Sequence, residues 1–459
     1  MVLFRMSGPF RPLSLNRLGA SLLLLLGLFG CSASRPPDKP AHASVAAPAP
    51  VPPPVIYTPR PADNRAVLPG IDVLESQGFA AVKGKRLGLL THPAGVNRLG
   101  VSTIDVLRHA PGVQLVRLFG VEHGVNDEFP AGKNYSDYTD KRTGLPVASL
   151  YDGRSRKPTK AQLKGLDALV IDLQDIGTRS YTFISAMKGA LEACFENNVE
   201  VIVLDRPNPL GGLKVDGPPM DAKWVSYVGA FRGPYVHGLT IAELARMAKE
   251  APGVLTVPDD VRARGRLTVV PMRGWRRAMR WPDTGLNWVP TSPLMQDYSA
   301  VLGYPMTGLG CELGGFRHGV GANHVFRGIS HKTVKIDTVE KELRALNLPG
   351  VQIRRISAPD RNGKPALGLF LEITDFDDWR PTELSLQLMR LACKLEPKNP
   401  FAAATGKERG FFLRLLGSEA FFTALQRDGA KTDVGAFIKD WAARNEIYRE
   451  QTKRYWLYR

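Results

Sequence analysis

The stretch Ala168 to Met187, ALVIDLQDIGTRSYTFISAM, limits what this chain can fold into more than any other. It opens with the apolar run Ala168-Leu169-Val170-Ile171, bounded by polar residues. Such a run reads as a strand buried on both faces, as in a parallel sheet. Asp172, Gln174, Asp175, Thr178, Arg179, Ser180, Tyr181 and Thr182 then crowd in behind it. Open α/β sheets bind ligands beyond the carboxyl ends of their strands. Carboxylates, an amide, a guanidinium and a phenol at one strand end therefore predict a site. The competing reading is a capped strand-to-helix turn with a surface ion pair.

The flanking sequence repeats the strand signal. Arg86–Leu90, Leu115–Phe119, Val199–Leu204 and Leu267–Pro271 are further candidate strands. Helical patterns lie between them. Thr159 with Gln162 and Thr240 with Glu243 form capping-box pairs, the second opening LTIAELARMAKE. Phe183–Asn197 reads as a helix with one apolar face. Strand-helix alternation at this spacing predicts an α/β fold, a Rossmann-like doubly wound parallel sheet. No GxGxxG follows the first strand, where GLLTHPAGVN stands, so no dinucleotide cofactor is expected.

The second half is less regular. Gln352–Ile356 and Leu367–Ile373 are its expected strands. Thr338–Leu346, Glu383–Leu395, Ser418–Leu425 and Val434–Tyr448 are its expected helices. They predict a smaller α/β domain over 286–459, after a sheet domain over 67–285. About 390 residues beyond the start of the chain exceed one typical core and suit two domains.

The start of the chain has a different character. Arg5, Arg11 and Arg17 precede an apolar run of signal-peptide proportions that ends in LFGC at Cys31. This resembles a bacterial lipobox, although Phe29 is bulkier than usual there. The resemblance implies a leader over 1–31, cleavage before Cys31 and a lipid on its thiol. Residues 32–66 hold ten prolines and few large apolar groups, which predicts an extended tether. Ser32 after the cysteine favours the outer membrane, facing the periplasm. The formal charge of +17 suits an anionic neighbour such as a wall polymer or lipid head groups. Export argues against nucleic acid. Cys194, Cys311 and Cys393 show no metal-ligand spacing and are expected to act as small apolar residues.

More polar clusters follow strands of the first half. Glu122 and His123 come directly after the second strand, and Asp205, Arg206 and Asn208 after the fourth. His237 stands just before a helix start. Each alone also fits a solvated pair or an Asx-bonded turn. Topology joins them, because the carboxyl ends of parallel strands face one edge. RGWRRAMRW, with Arg273, Arg276, Arg277, Arg280, Trp275 and Trp281, reads as a solvated edge with inward tryptophans. A tryptophan sugar platform is its alternative.

FGVEHGVNDEFPAG, SLYDGRSRKPT, DLQDIGTRSYTFISAM, VLDRPNPLGG, VDGPPMD, VHGLTIAELA and WPDTGLNWV together resemble the exo-β-N-acetylmuramidase family of glycoside hydrolases. The resemblance runs from about Gly70 to the C-terminus and is densest up to Val289. It implies a Rossmann-like domain, a smaller domain, an active-site cleft between them, and release of N-acetylmuramic acid from non-reducing ends of peptidoglycan fragments. It makes Glu122 the candidate catalytic acid, with His123 beside it. In place of the family's Ser-Glu-Gly-Arg-Gly-Thr run this chain has LGCELGGFRHGVGANHVF, with Arg317 and His318 as candidate sugar contacts. NWVPTSPLMQD is also altered relative to the family pattern.

Glycoside cleavage needs an acid on the leaving oxygen and stabilisation of an oxocarbenium-like transition state, and no cofactor. Asp172 or Asp175 is the expected second carboxylate. Gln174, Tyr181, Asp205, Asn208 and His237 are expected to bind substrate. A muramyl sugar carries a lactyl carboxylate, which Arg179 or Arg206 can grip in bidentate fashion. The alternative for each arginine is an ion pair with Asp175 or Asp205. A second reading of the whole chain is a lipid-anchored protein that holds wall fragments without cutting them. A phosphosugar- or nucleotide-binding protein is a weaker third.

Overall fold

The five apolar runs of the first half become five strands of one sheet in the computed structural model, which describes residues 67–459. The leader, Cys31 and the proline-rich tether lie outside the described residues. In chain order the strands are β1 (Arg86–Thr91), β2 (Gln114–Gly120), β3 (Tyr138–Thr139), β4 (Pro146–Ser149), β5 (Ala168–Asp172), β6 (Glu200–Leu204) and β7 (Leu267–Val270). Their order across the sheet is β3-β4-β2-β1-β5-β6-β7. Every pair from β4 to β7 is parallel, and β3 closes one edge antiparallel. The expected α/β sheet is therefore present. The sequence signal missed β3 and β4, because YT and PVAS are too short to show a period.

Strand order sets the site. The chain starts at β1, builds outward through β2 to β4, and returns to the other side of β1 with β5. Such a reversal leaves a crevice beyond the strand ends. Thr91 pairs with Gly120 on one side and with Asp172 on the other. The three strands thus stop level, and the residues after them emerge side by side. Leu87, Leu89, Leu118, Val170, Ile202 and Leu204 fill the core beneath.

Both capping boxes form as the sequence predicts. Thr159 and Gln162 exchange hydrogen bonds at 3.2 and 2.9 Å, and Thr240 and Glu243 at 3.3 and 3.0 Å. Each satisfies two N–H groups that a helix start leaves open. The helix Phe183–Glu196 differs from expectation. It is buried at every position from Phe183 to Phe195, not on one face. Its polar positions find partners instead: Glu192 accepts from Thr256 N–H at 2.8 Å and pairs with Lys157, and Lys188 donates to the Ala230 carbonyl at 3.2 Å.

The second half builds an antiparallel sheet from β8 (Phe316–Arg317), β9 (Gly328–His331), β10 (Val351–Pro359) and β11 (Pro365–Ile373), in the order β10-β11-β9-β8. Helices Glu383–Leu395, Glu419–Asp428 and Val434–Thr452 follow the sequence reading closely. Tyr298–Thr307 does not. It is apolar nearly all round and holds Gly303 and Pro305, so no helical period announces it.

The last residues return to the first sheet. Leu457 N–H donates to Glu243 Oε1 at 2.9 Å, and the Tyr458 hydroxyl donates to Asp205 Oδ2 at 2.6 Å. Arg277 pairs with Glu243 at 2.7 Å and lies over the Trp456 ring. Trp275 and Trp281 do face inward, but Arg277 is buried with them and is not part of a solvated edge.

Burial pushes the Asp205 carboxyl up to about 7, against the pull of its hydrogen bonds from Tyr458, Ala242 and Thr240. Its folded value lies above its unfolded one. The folded state then binds the extra proton, and stability from this group falls as pH rises from about 4 to about 7. Denaturant unfolding of the parent and of Asp205→Asn at several pH values checks this. The stability difference between the two should shift in favour of the variant, by on the order of a few kcal/mol, between the ends of that interval.

Candidate active site

Glu122 follows β2 and is only 8% exposed. Its Oε1 accepts hydrogen bonds from the Gly132 N–H at 2.8 Å and from the Tyr151 hydroxyl at 3.1 Å. Gly124, at φ +80°, makes the tight turn that brings the 126–132 loop back over this carboxyl. A side chain there would run into Glu128. His123 turns away, with Nδ1 against the Phe129 carbonyl at 2.9 Å. The Tyr151 and Tyr227 phenols beside Glu122 are both pushed up, first by burial and also by the nearby Glu122 charge. The guanidinium of Arg156 lies on the Tyr151 ring, 3.6 Å from its centre, and 4.7 Å from the centre of Tyr227.

Tyr181 belongs to the same wall. Burial pushes its phenol up, and Asp175 and Glu122 both add to the shift, so it stands near both carboxylates. Its hydroxyl donates to Thr291 Oγ1 at 2.7 Å. Asp175 Oδ2 accepts from the Gly177 N–H at 2.8 Å and meets His237 Nε2 at 3.2 Å. Leu239 N–H donates to His237 Nδ1, which puts the ring proton on Nε2, towards Asp175. The other oxygen, Oδ1, is buried with no partner among the described residues. Gln174 donates to the carbonyls of Asp175 and Pro207, and its own Oε1 is likewise unpartnered.

Four expected contacts serve the fold instead. Asp172 is fully buried, and both its oxygens are taken: Arg206 Nε reaches Oδ1 at 2.5 Å, while Arg206 Nη2 at 2.8 Å and the Thr103 hydroxyl take Oδ2. In that state the carboxylate serves as the counter-charge of a buried guanidinium, and Asp175 has the freer oxygen of the two expected second carboxylates. Arg206 is held with it, since Asp172 and the Val96 carbonyl take its Nε and Nη2. Its partner is a carboxylate, though not Asp205. Asp205 binds Thr240, Ala242 and Tyr458 as a buried cap, and Asn208 closes a turn through Leu210 N–H and the Leu239 carbonyl. Neither is offered to a sugar.

Arg179 is the fifth correction. It is 1% exposed and donates to the carbonyls of Pro218, Gly233, Leu415 and Leu416. Burial pulls its ionisation down to about 10. It clamps the end of the helix Gly406–Leu416 to the loops of the sheet domain and makes no ion pair with Asp175. In the altered stretch, Arg317 is exposed on β8, and His318 stacks on Phe326 with ring centres 4.2 Å apart. Phe326 meets Tyr304, whose hydroxyl bonds Ser180 next to Tyr181. The stretch therefore reaches the site through packed rings.

Sequence reasoning missed His92, Tyr151, Arg156, Tyr227 and Thr291. His92 follows β1, and its Nε2 accepts the Gln174 N–H at 2.9 Å. Burial, then the Arg206 charge, holds it well below the usual histidine range, so it is neutral. Its position right after a strand was a usable signal. Tyr151 and Arg156 sit in SLYDGRSRKPT, which no strand of recognisable length precedes. A cavity of about 40 Å³ beyond the strand ends is lined by Val96, Asn97, Gln174, Arg206, Trp281 and Leu286. A wider surface groove of about 710 Å³, along Glu419, Arg427, Asp433 and Phe437, has no lining residue at a strand end.

The chain is similar to the peptidoglycan beta-N-acetylmuramidase NamZ of Bacillus subtilis (strain 168), with 36% identity over 393 residues, covering 85% of this chain and 91% of that protein. A DUF1343 family protein from Bacteroides fragilis NCTC 9343 has the same fold, with a TM-score of 0.76 and 37% identity over 86% of this chain and 99% of its own. A second from that organism, at 24% identity, shares the fold with a TM-score of 0.63, over 87% of this chain and 99% of its own. This protein is a glycoside hydrolase. It belongs to the exo-beta-N-acetylmuramidase NamZ family, whose N-terminal part matches residues 87–299 and whose C-terminal part matches 302–458.

If Asp172 is structural, removing it strands a buried guanidinium. Asp172→Ala should lose roughly 3–5 kcal/mol of stability, and the pair Asp172→Leu with Arg206→Met should recover much of that. Chemical denaturation checks both. A fully stable Asp172→Ala that is inactive would return the residue to the chemistry.

Proposed function

We propose that this enzyme is a muramidase of the cell wall that releases N-acetylmuramic acid from non-reducing ends of peptidoglycan fragments, with Glu122 as the acid. One observation carries the reading. A carboxyl side chain stands at the carboxyl end of a central parallel strand, enclosed by the Tyr151, Tyr181 and Tyr227 phenols, with both its hydrogen bonds on Oε1. That arrangement orients Oε2 for proton delivery to a leaving oxygen. Membership of a family of exo-beta-N-acetylmuramidases supports exo action. That membership and the similarity to the peptidoglycan beta-N-acetylmuramidase of Bacillus subtilis support the muramyl bond.

Asp175 is the second carboxylate in this reading. His237 and the Gly177 N–H fix Oδ2, and Oδ1 is the oxygen without a protein partner among the described residues. Gly177, at φ +81° and against Asn208, lets the chain turn tightly enough to set it there.

Glu122→Gln keeps shape but removes the proton. Release of N-acetylmuramic acid from a muramyl-glucosaminyl disaccharide should fall by on the order of 10²–10⁴. The loss should be smaller on an aryl muramide, whose leaving group needs little protonation. Equal losses on both substrates would assign Glu122 to binding or nucleophilic attack, and an unchanged rate would remove it from the reaction.

The same reading anchors the mature chain in a bacterial envelope through lipid on Cys31, on the outer membrane facing the periplasm. The LFGC end of the leader, the proline-rich tether and the charge of +17 beside an anionic wall support it. Cys31→Ala should move the protein from the membrane fraction to the soluble one or leave a precursor. A fractionation pattern identical to the parent's would sink the anchor.

A further inference from the structure

We infer that Arg156 anchors the lactyl carboxylate of the muramyl sugar and so sets the preference for that sugar over one without the lactyl ether. The inference rests on the muramidase reading above. Its starting point is an incomplete set of partners. Arg156 Nη1 is buried and has no hydrogen-bond partner among the described residues. A buried donor without an acceptor is unfavourable, and a charged one more so. A carboxylate is the acceptor that a planar guanidinium matches best.

The surroundings fix both the plane and the place. The guanidinium lies on the Tyr151 ring at 3.6 Å and over the Tyr227 ring at 4.7 Å. Ring contacts take up its faces, the Tyr227 hydroxyl takes part of its N–H edge, and Nη1 is left for an anion. The Tyr151 hydroxyl is the group that holds Glu122, at 3.1 Å. The acid and the guanidinium are therefore one phenol ring apart. That is about the span from the glycosidic oxygen of a pyranose to a substituent on C3, where the lactyl group is attached.

Competing assignments fail on each side. The carboxylate four residues before it and the one paired with its neighbour Lys157 are engaged elsewhere: Asp152 Oδ1 accepts from the N–H groups of Arg154 and Ser155, and Glu192 pairs with Lys157. Arg179 gives both its Nη nitrogens to four carbonyls and is left with Nε alone, and Arg206 gives Nε and Nη2 to Asp172.

Calorimetric titration of the full chain and its variants with N-acetylmuramic acid, its methyl ester and N-acetylglucosamine tests the assignment. The parent should bind the free acid roughly ten- to hundred-fold more tightly than the other two. Arg156→Met should bind all three alike, at the parent's affinity for the ester. Arg156→Lys keeps the stem and the charge and should retain part of the discrimination, which guards against a Met variant that fails to fold. A parent that does not discriminate overturns the anchor, and so does a folded Arg156→Met that still does. Release of N-acetylmuramic acid by the same parent preparation separates the two readings. Discrimination without release sinks the glycosidase and leaves the anchor supported; release without discrimination sinks the anchor alone.

Discussion

The ion pair between Asp172 and Arg206 is the interaction on which the site edge depends. It joins the end of β5 to the residues after β6, and through Thr103 and the Val96 carbonyl it reaches the loop and helix after β1. Two charges taken out of water cost several kcal/mol each, and only close, well-partnered geometry offsets that. Here the carboxylate has three donors, and the guanidinium both carboxylate oxygens and a carbonyl. Three strand ends are thereby held level. His92, Gln174 and the residues behind them inherit fixed positions, which a glycosidase needs more than it needs any one contact.

Buried guanidinium groups recur as fasteners in this molecule. Arg179 gathers four carbonyls from two separate regions of the chain, and Arg277 ties Glu243 to the carbonyl of Gly212 under the face of Trp456. Arginine suits the task because its fork is planar, always charged and weakly hydrated. Part of the strong positive charge of the sequence is therefore internal and does not meet a partner at the surface. The strand-end side of the sheet is correspondingly rich in phenols, and two of them stack on the Arg156 guanidinium.

The sequence by itself determined the sheet and the location of the site edge. Apolar runs of four to six residues report burial on both faces, and polar residues after them report strand ends, because both signals are local. The place of Glu122 just after the second strand was legible for that reason, as were the two capping boxes and the family. β3, β4 and the Tyr298–Thr307 helix were not, since two polar-edged residues or a helix buried all round show no period. The roles of the arginines were decided only by tertiary structure. Arg179, Arg206 and Arg156 look alike in the sequence, each a few residues from a carboxylate. Which donors each of them keeps free depends on carbonyls and carboxylates brought in from as far as Leu416. A charged side chain in the interior takes whatever acceptor the fold delivers, and no local pattern records that delivery.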